Sequence, residues 1–95
     1  MANTLTQEQI ELNLKKLPGW EYKDGSIKKV FKTVSYPATM GFVSAIGGIC
    51  QRKNHHPDYI LMKYKELEVS FSTHSQGGIT QSDIDVALEI ETLPI

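Results

Sequence analysis

The chain carries three histidines, and all of them lie between positions 55 and 74. His55 and His56 fall where a helical pattern gives way to a strand, and His74 falls where a strand gives way to a loop ending in Gly77-Gly78. Element ends are where a rigid scaffold commonly presents functional side chains. Imidazole titrates near neutral pH, so two such rings facing one pocket could give and take protons within a single turnover. If the two strands between them form a hairpin, the chain returns to the end where it began, which brings His74 toward His55 and His56. An isolated histidine is more commonly a surface or structural residue, and composition alone favours that role for this trio.

Other chemistries are harder to build from these residues. Adjacent residues of an extended segment point to opposite faces, so His55 and His56 do not readily share one metal ion. There is no His-x-x-x-His and no paired-cysteine spacing, and Cys50 sits in an apolar helical pattern, so no zinc site is expected. Ser72, Thr73 and Ser75 surround His74, yet no Gly-x-Ser-x-Gly nucleophile elbow exists. Gly77-Gly78 before a helix makes a weak phosphate-nest signal without a lysine. Asp83 and Asp85 read most simply as acidic residues complementing the start of the last helix. The basic run at Lys28, Lys29 and Lys32 reads as a solvated strand face.

The elements that must position these residues are marked by their ends. Thr6 and Gln9 form a capping-box pattern, Leu5 and Ile10 take the staple positions, and Pro18-Gly19 closes a helix over 7–16. Asp24-Gly25 is a hairpin-turn dipeptide between Trp20-Glu21-Tyr22 and Ile27 to Val34, both rich in strand-forming residues. Ala38, Phe42, Ala45, Ile46 and Ile49 recur at helical spacing, which predicts a helix over 38–53 that ends before Asn54-His55-His56-Pro57. Gly41, Gly47 and Gly48 each cost such a helix about 1 kcal/mol relative to alanine, which anticipates a sheet or another subunit packed close to its backbone. Tyr59 to Tyr64 reads as a strand. Leu67, Val69 and Phe71 alternate with Glu68, Ser70 and Ser72 in the next, placing the first three on the core face and His74 in line with the polar set. Thr80 caps a last helix over 81–91, with Asp83 at the capping-box position. The order αββαββα implies an α+β fold, a four-stranded antiparallel sheet with helices packed on one face.

Bulk properties narrow the setting. At 95 residues, with 40% hydrophobic and 22% charged side chains, the sequence suits one folded domain, and self-association would add stability to so small a core. A formal net charge of −1 gives no electrostatic reason to expect nucleic acid or an anionic membrane as a partner. The single Cys50 excludes an internal disulfide and fits a cytoplasmic setting. The first residues, Met-Ala-Asn-Thr-Leu-Thr, lack the basic and apolar regions of a signal peptide, and no apolar run reaches the roughly 20 residues of a membrane span.

Taken in register, Asn54-His55-His56-Pro57, the aromatic Tyr64, Ser72-Thr73-His74, Gly77-Gly78 and Asp83 resemble the pterin-4a-carbinolamine dehydratase family. The match is densest over 54–83, and the element order with Leu17-Pro18-Gly19-Trp20 extends it over nearly the whole chain. The resemblance implies a hydro-lyase that dehydrates 4a-hydroxytetrahydropterin, formed by aromatic amino-acid hydroxylases, to quinonoid dihydropterin, with no metal and no cofactor. It implies His55 and His74 as acid and base, and His56 as the neighbour that binds and orients the pterin. Asn54, Ser72, Thr73 and Ser75 are implied in lining the pterin site, with Pro57 and Asp83 in support, and a homodimer or homotetramer is expected. The family usually places a charged residue, often glutamate, where this chain has Gln51. That departure gives a second expectation, a weak or silent pterin binder, beside a third, a protein-interaction module of the kind some family members form.

Overall fold

Antiparallel pairing in four strands sets the frame in the computed structural model, which describes residues 3–95. Met1 and Ala2, part of the stretch read above for signal-peptide character, lie outside the described residues. The order is α1 (Gln7–Leu14), β1 (Glu21–Lys23), β2 (Ser26–Lys32), α2 (Tyr36–Arg52), β3 (Tyr59–Met62), β4 (Glu66–Phe71) and α3 (Gln81–Ile90), with a 3₁₀ turn at His74–Gln76. The strands lie in the order β1-β2-β4-β3. This is the αββαββα α+β fold that the sequence predicts.

Local chemistry explains the boundaries. The Thr6 hydroxyl accepts from the Gln9 N–H at 3.1 Å, and the Gln9 side chain accepts from the Thr6 N–H at 2.8 Å, closing the capping box of α1. Asp24 and Gly25 both have positive φ, 53° and 78°, as the two-residue turn between β1 and β2 requires. Helix α2 starts before position 38 because Ser35 is its cap: the Ser35 hydroxyl accepts from the Ala38 N–H at 3.2 Å. Strand β3 ends at Met62, short of Tyr64, where the chain turns back and the Lys63 N–H reaches the Glu66 carbonyl at 2.8 Å.

Register assigns the faces. Ile27 pairs with Phe71, Lys29 with Val69 and Phe31 with Leu67, so these side chains share the face that meets the helices. Ile27, Leu67, Val69 and Phe71 are fully buried there against Ile46, Ile84, Ala87 and Ile90. Trp20 closes one end of this core edge-on to Phe31, with ring centroids 6.2 Å apart.

One expectation needs correcting and another is narrowed. Lys29 does not lie on a solvated face; it sits between Ile27 and Phe31 on the helix side. Its stem crosses apolar surface, and its ammonium reaches the Glu91 carboxylate and the Pro18 carbonyl, each at 2.7 Å. Glu91 also accepts from the Trp20 indole N–H at 2.9 Å, which ties the end of the chain to the first hairpin. The glycines of α2 do not face the sheet either: a Cβ placed at Gly41, Gly47 or Gly48 meets nothing within 4 Å. Within the chain, no close packing offsets their cost to the helix. Among the described residues no helix is long and apolar enough to cross a membrane.

Candidate active site

The site begins at the end of α2. Asn54 adopts φ 51°, and its N–H bonds the Gln51 carbonyl at 3.2 Å while the His55 N–H bonds the Cys50 carbonyl at 3.0 Å. That pair of bonds is a Schellman motif, with asparagine tolerating the left-handed position. The observed role of Asn54 is therefore to end the helix and aim the next residue inward. The His55 side chain is 14% exposed and lies nearly parallel to the Phe71 ring, centroids 6.3 Å apart. His56 points elsewhere: it is exposed, and its Nε2 lies 3.3 Å from Gln51 Oε1. Pro57 follows, half-buried.

Asp83 receives the inward ring. It is fully buried, and its Oδ1 lies 2.5 Å from His55 Nε2. Its other oxygen accepts from the Thr73 hydroxyl at 2.7 Å and from the Thr80 N–H at 2.9 Å. Asp83 therefore does more than complement a helix start; it binds the histidine segment, the segment after β4 and the cap of α3 together. Asp85, by contrast, stays on the surface and accepts from Gln81 at 2.9 Å.

His74 is displayed differently. The Thr73 N–H bonds the Gly78 carbonyl at 2.8 Å, pinching residues 74–77 into a short loop. Gly77, at φ 76°, makes the reversal. The loop holds the His74 side chain 85% exposed, with its Nε2 2.9 Å from Asp58 Oδ1. Ser72, Thr73 and His74 line a pocket of about 290 Å³ with Ser26 and the Asp24-Gly25 turn. Ser75 turns instead to a neighbouring depression beside Gln76 and Thr80. A larger hollow of about 380 Å³ lies beside Lys23, Lys28 and Glu68 and contains no histidine, so volume alone does not mark the chemistry.

Ser70 and Ser72 do not form a solvent-facing polar stripe; they are buried beneath Asp58, a residue the sequence did not single out. Asp58 accepts from Ser72 at 2.6 Å, Ser70 at 2.8 Å and Ser26 at 2.9 Å. Burial works against its ionisation, but those three hydroxyls, with His74 adding to them, hold the carboxyl below its ordinary value. The signal was available: an aspartate directly after His-His-Pro, facing serines two apart on the next strand. Tyr64, part of the sequence resemblance, lies past the far end of β3 and stacks on Tyr36 with centroids 6.0 Å apart.

Both His55 and His74 thus present Nε2 to a carboxylate. A carboxylate oxygen accepts the Nε2 proton, which leaves Nδ1 as the nitrogen free to exchange one. Among the described residues no cluster of three or more side chains could hold a metal ion.

The class of protein is a small α+β scaffold with two carboxylate-held imidazoles at one end of its sheet. The sequence model for pterin 4 alpha carbinolamine dehydratase matches residues 3–93, and the chain belongs to that family of hydro-lyases. A relative from Nitrosospira multiformis, provisionally named a pterin-4-alpha-carbinolamine dehydratase, is 39% identical, covering 94% of this chain and 78% of its own. One from Aquifex aeolicus with the same provisional name is 36% identical, covering 98% and 93%. The crystal structure of a transcriptional coactivator/pterin dehydratase from Brucella melitensis has a TM-score of 0.89 at 28% identity, covering 95% of this chain and 97% of its own. A pterin dehydratase-like protein identified as a RuBisCO assembly factor in the alpha-carboxysome shares the fold at a TM-score of 0.63 and 18% identity, covering 77% and 83%.

Proposed function

We propose that this protein dehydrates 4a-hydroxytetrahydropterin to quinonoid dihydropterin and water, with His55 and His74 as its acid and base, in support of pterin recycling after aromatic amino-acid hydroxylation. The observation that carries this reading is the Asp83 junction, which accepts from His55 and from Thr73, the neighbour of His74. As the C4a–O bond breaks, a ring-nitrogen lone pair forms a C=N bond. One imidazolium protonates the leaving oxygen, and the other ring, neutral, takes the N–H proton at Nδ1. Solvent then restores the two protonation states. Neither electrons nor a cofactor enter the balance. His56, held by Gln51 at the exposed rim, serves to orient the pterin, and Ser72 and Thr73 line its pocket with Ser75 and Asn54 farther out. The free, buried thiol of Cys50 is in keeping with a cytoplasmic setting.

Acid–base help of this kind contributes about 10²–10⁴-fold. Purified protein is expected to accelerate the dehydration, and His55→Ala or His74→Ala to lose most of that factor while remaining folded. Full activity in both variants would discard the acid–base assignment. Gln51→Glu places a carboxylate beside His56; activity that appears only in this variant would identify the natural chain as a silent pterin binder.

A second reading concerns assembly. The open face of α2, with Gly41, Gly47 and Gly48 uncovered and Met40 50% exposed, is suited to close helix packing, and we assign it to contact with further copies of this chain in a dimer or tetramer. The Brucella melitensis coactivator/dehydratase and the RuBisCO assembly factor make an additional protein partner a reasonable alternative occupant of that face. Sedimentation of the purified chain decides the self-association: a monomer at micromolar concentration rejects it.

A further inference from the structure

Asp58 satisfies three buried serine hydroxyls and still turns one oxygen to an exposed histidine. Its Oδ2 takes Ser26 of β2 and Ser70 of β4; its Oδ1 takes Ser72 and His74 Nε2, the last at 2.9 Å. The Asp58 N–H is anchored on the Ser70 carbonyl at 2.7 Å. Two strands and the backbone therefore fix the carboxylate, which is itself only 15% exposed. The serines lie on the sheet face turned away from the hydrophobic core, where the core needs no buried polar group. We propose that Asp58 is a positioning residue for the dehydration, holding His74 with its proton on Nε2 so that Nδ1 faces the pterin. This inference rests on the dehydratase reading and adds to it a residue acting through His74.

An exposed ion pair ordinarily contributes little, because two mobile side chains must be ordered to make it. Here one partner is ordered in advance, so only the imidazole has to be immobilised. Bound pterin lying over the ring would also exclude water and strengthen the attraction between carboxylate and imidazolium. The remaining titratable groups at this end are few. Asp24 of the β1–β2 turn lines the same pocket as His74, and Tyr59, next to Asp58, is engaged by Glu68 on β4. Among the described residues, the carboxylate paired with the His74 ring is that of Asp58.

The test is a double-mutant cycle on kcat, with ring-nitrogen chemical shifts of His74 as a second readout. Asp58→Ala is expected to lower kcat about 10- to 100-fold, part of what acid–base help supplies, with little change in KM. In the His74→Ala background the same change should cost nothing further. Asp58→Asn covers the case in which the alanine variant does not fold. Its amide oxygen can keep His74 and Ser72, and its NH₂ can donate to the Ser26 and Ser70 hydroxyls, which serve as acceptors equally well. Only the charge is lost, so kcat should fall about tenfold, again with no effect once His74 is absent. Equal losses in both backgrounds would show Asp58 to be merely structural and overturn the proposal. The nitrogen shifts are read without turnover: His74 should be uniformly Nε2-protonated when neutral, with the Nδ1-protonated form appearing in Asp58→Ala. Shifts unchanged by that variant overturn the proposal whether or not the protein is a dehydratase. A wild-type enzyme with no turnover overturns the dehydratase reading separately.

Discussion

Asp83→Asn is expected to fold nearly as well as the natural protein and to lose about 10²–10⁴-fold in dehydration rate. The two oxygens of Asp83 have unequal partners. One accepts from the Thr73 hydroxyl and the Thr80 N–H, and the backbone N–H can only donate. In asparagine the carbonyl oxygen must therefore stay on that side, which turns the NH₂ toward His55 Nε2. To accept from it, His55 must move its own proton to Nδ1, and the neutral ring can no longer take a proton there. An aspartate-to-asparagine change beside a catalytic histidine acts through the same tautomer reversal in serine proteases. Asp83→Ala should behave differently. It removes the acceptor outright, leaving the Thr80 N–H and the His55 Nε2–H unpaired while the Thr73 hydroxyl keeps the Thr80 hydroxyl, at a cost of about 3 kcal/mol in folding stability. Chemical denaturation and single-turnover rates on the two variants separate the effects. If the asparagine variant keeps full activity, the tautomer of His55 does not matter and the mechanism is wrong.

The second large effect is expected at Phe71. This ring is fully buried, lies 6.2 Å from Trp20 by centroid, and forms the flat surface on which His55 rests. Truncation to alanine should cost about 3–5 kcal/mol, since a neighbourhood of interlocked rings and strands relaxes little around the cavity. Phe71→Leu keeps much of the volume and should cost less than about 1.5 kcal/mol. It nevertheless removes the planar support, so activity should fall further than stability. A leucine variant whose rate is unaffected would mean that Asp83 alone orients the imidazole. Urea midpoints measured beside kcat are sufficient to tell.

Much of this arrangement was legible in the sequence because its signals are local. Capping boxes, the Asp24-Gly25 turn and the alternation of Leu67, Val69 and Phe71 each specify an element within a few residues. The αββαββα order and the place of the histidines at element ends followed from them. What stayed hidden depends on pairing across the sheet. Lys29 reads as one of a basic run until its register opposite Val69 puts it on the helix face. Ser70 and Ser72 read only as the polar side of their strand until Asp58, folded back over them, takes both hydroxyls. Asp83 fits the start of a helix so well that local pattern alone hides its second engagement, with a histidine 28 positions earlier, and only the family resemblance marks it as a supporting residue. Asn54 shows the opposite case, a residue implied in substrate contact whose observed work is to reverse the chain at a helix end.

The position of Asp83 in the chain also bears on the order in which the site can form. The ring it holds belongs to the middle of the sequence, whereas the carboxylate opens the last helix. Glu91, closer still to the end, secures Trp20 across 71 positions. A nascent polypeptide emerging from the ribosome can therefore carry both histidines in full and still lack the group that sets the proton on one of them. A chain interrupted anywhere between positions 75 and 82 would hold both rings without the carboxylate that receives His55.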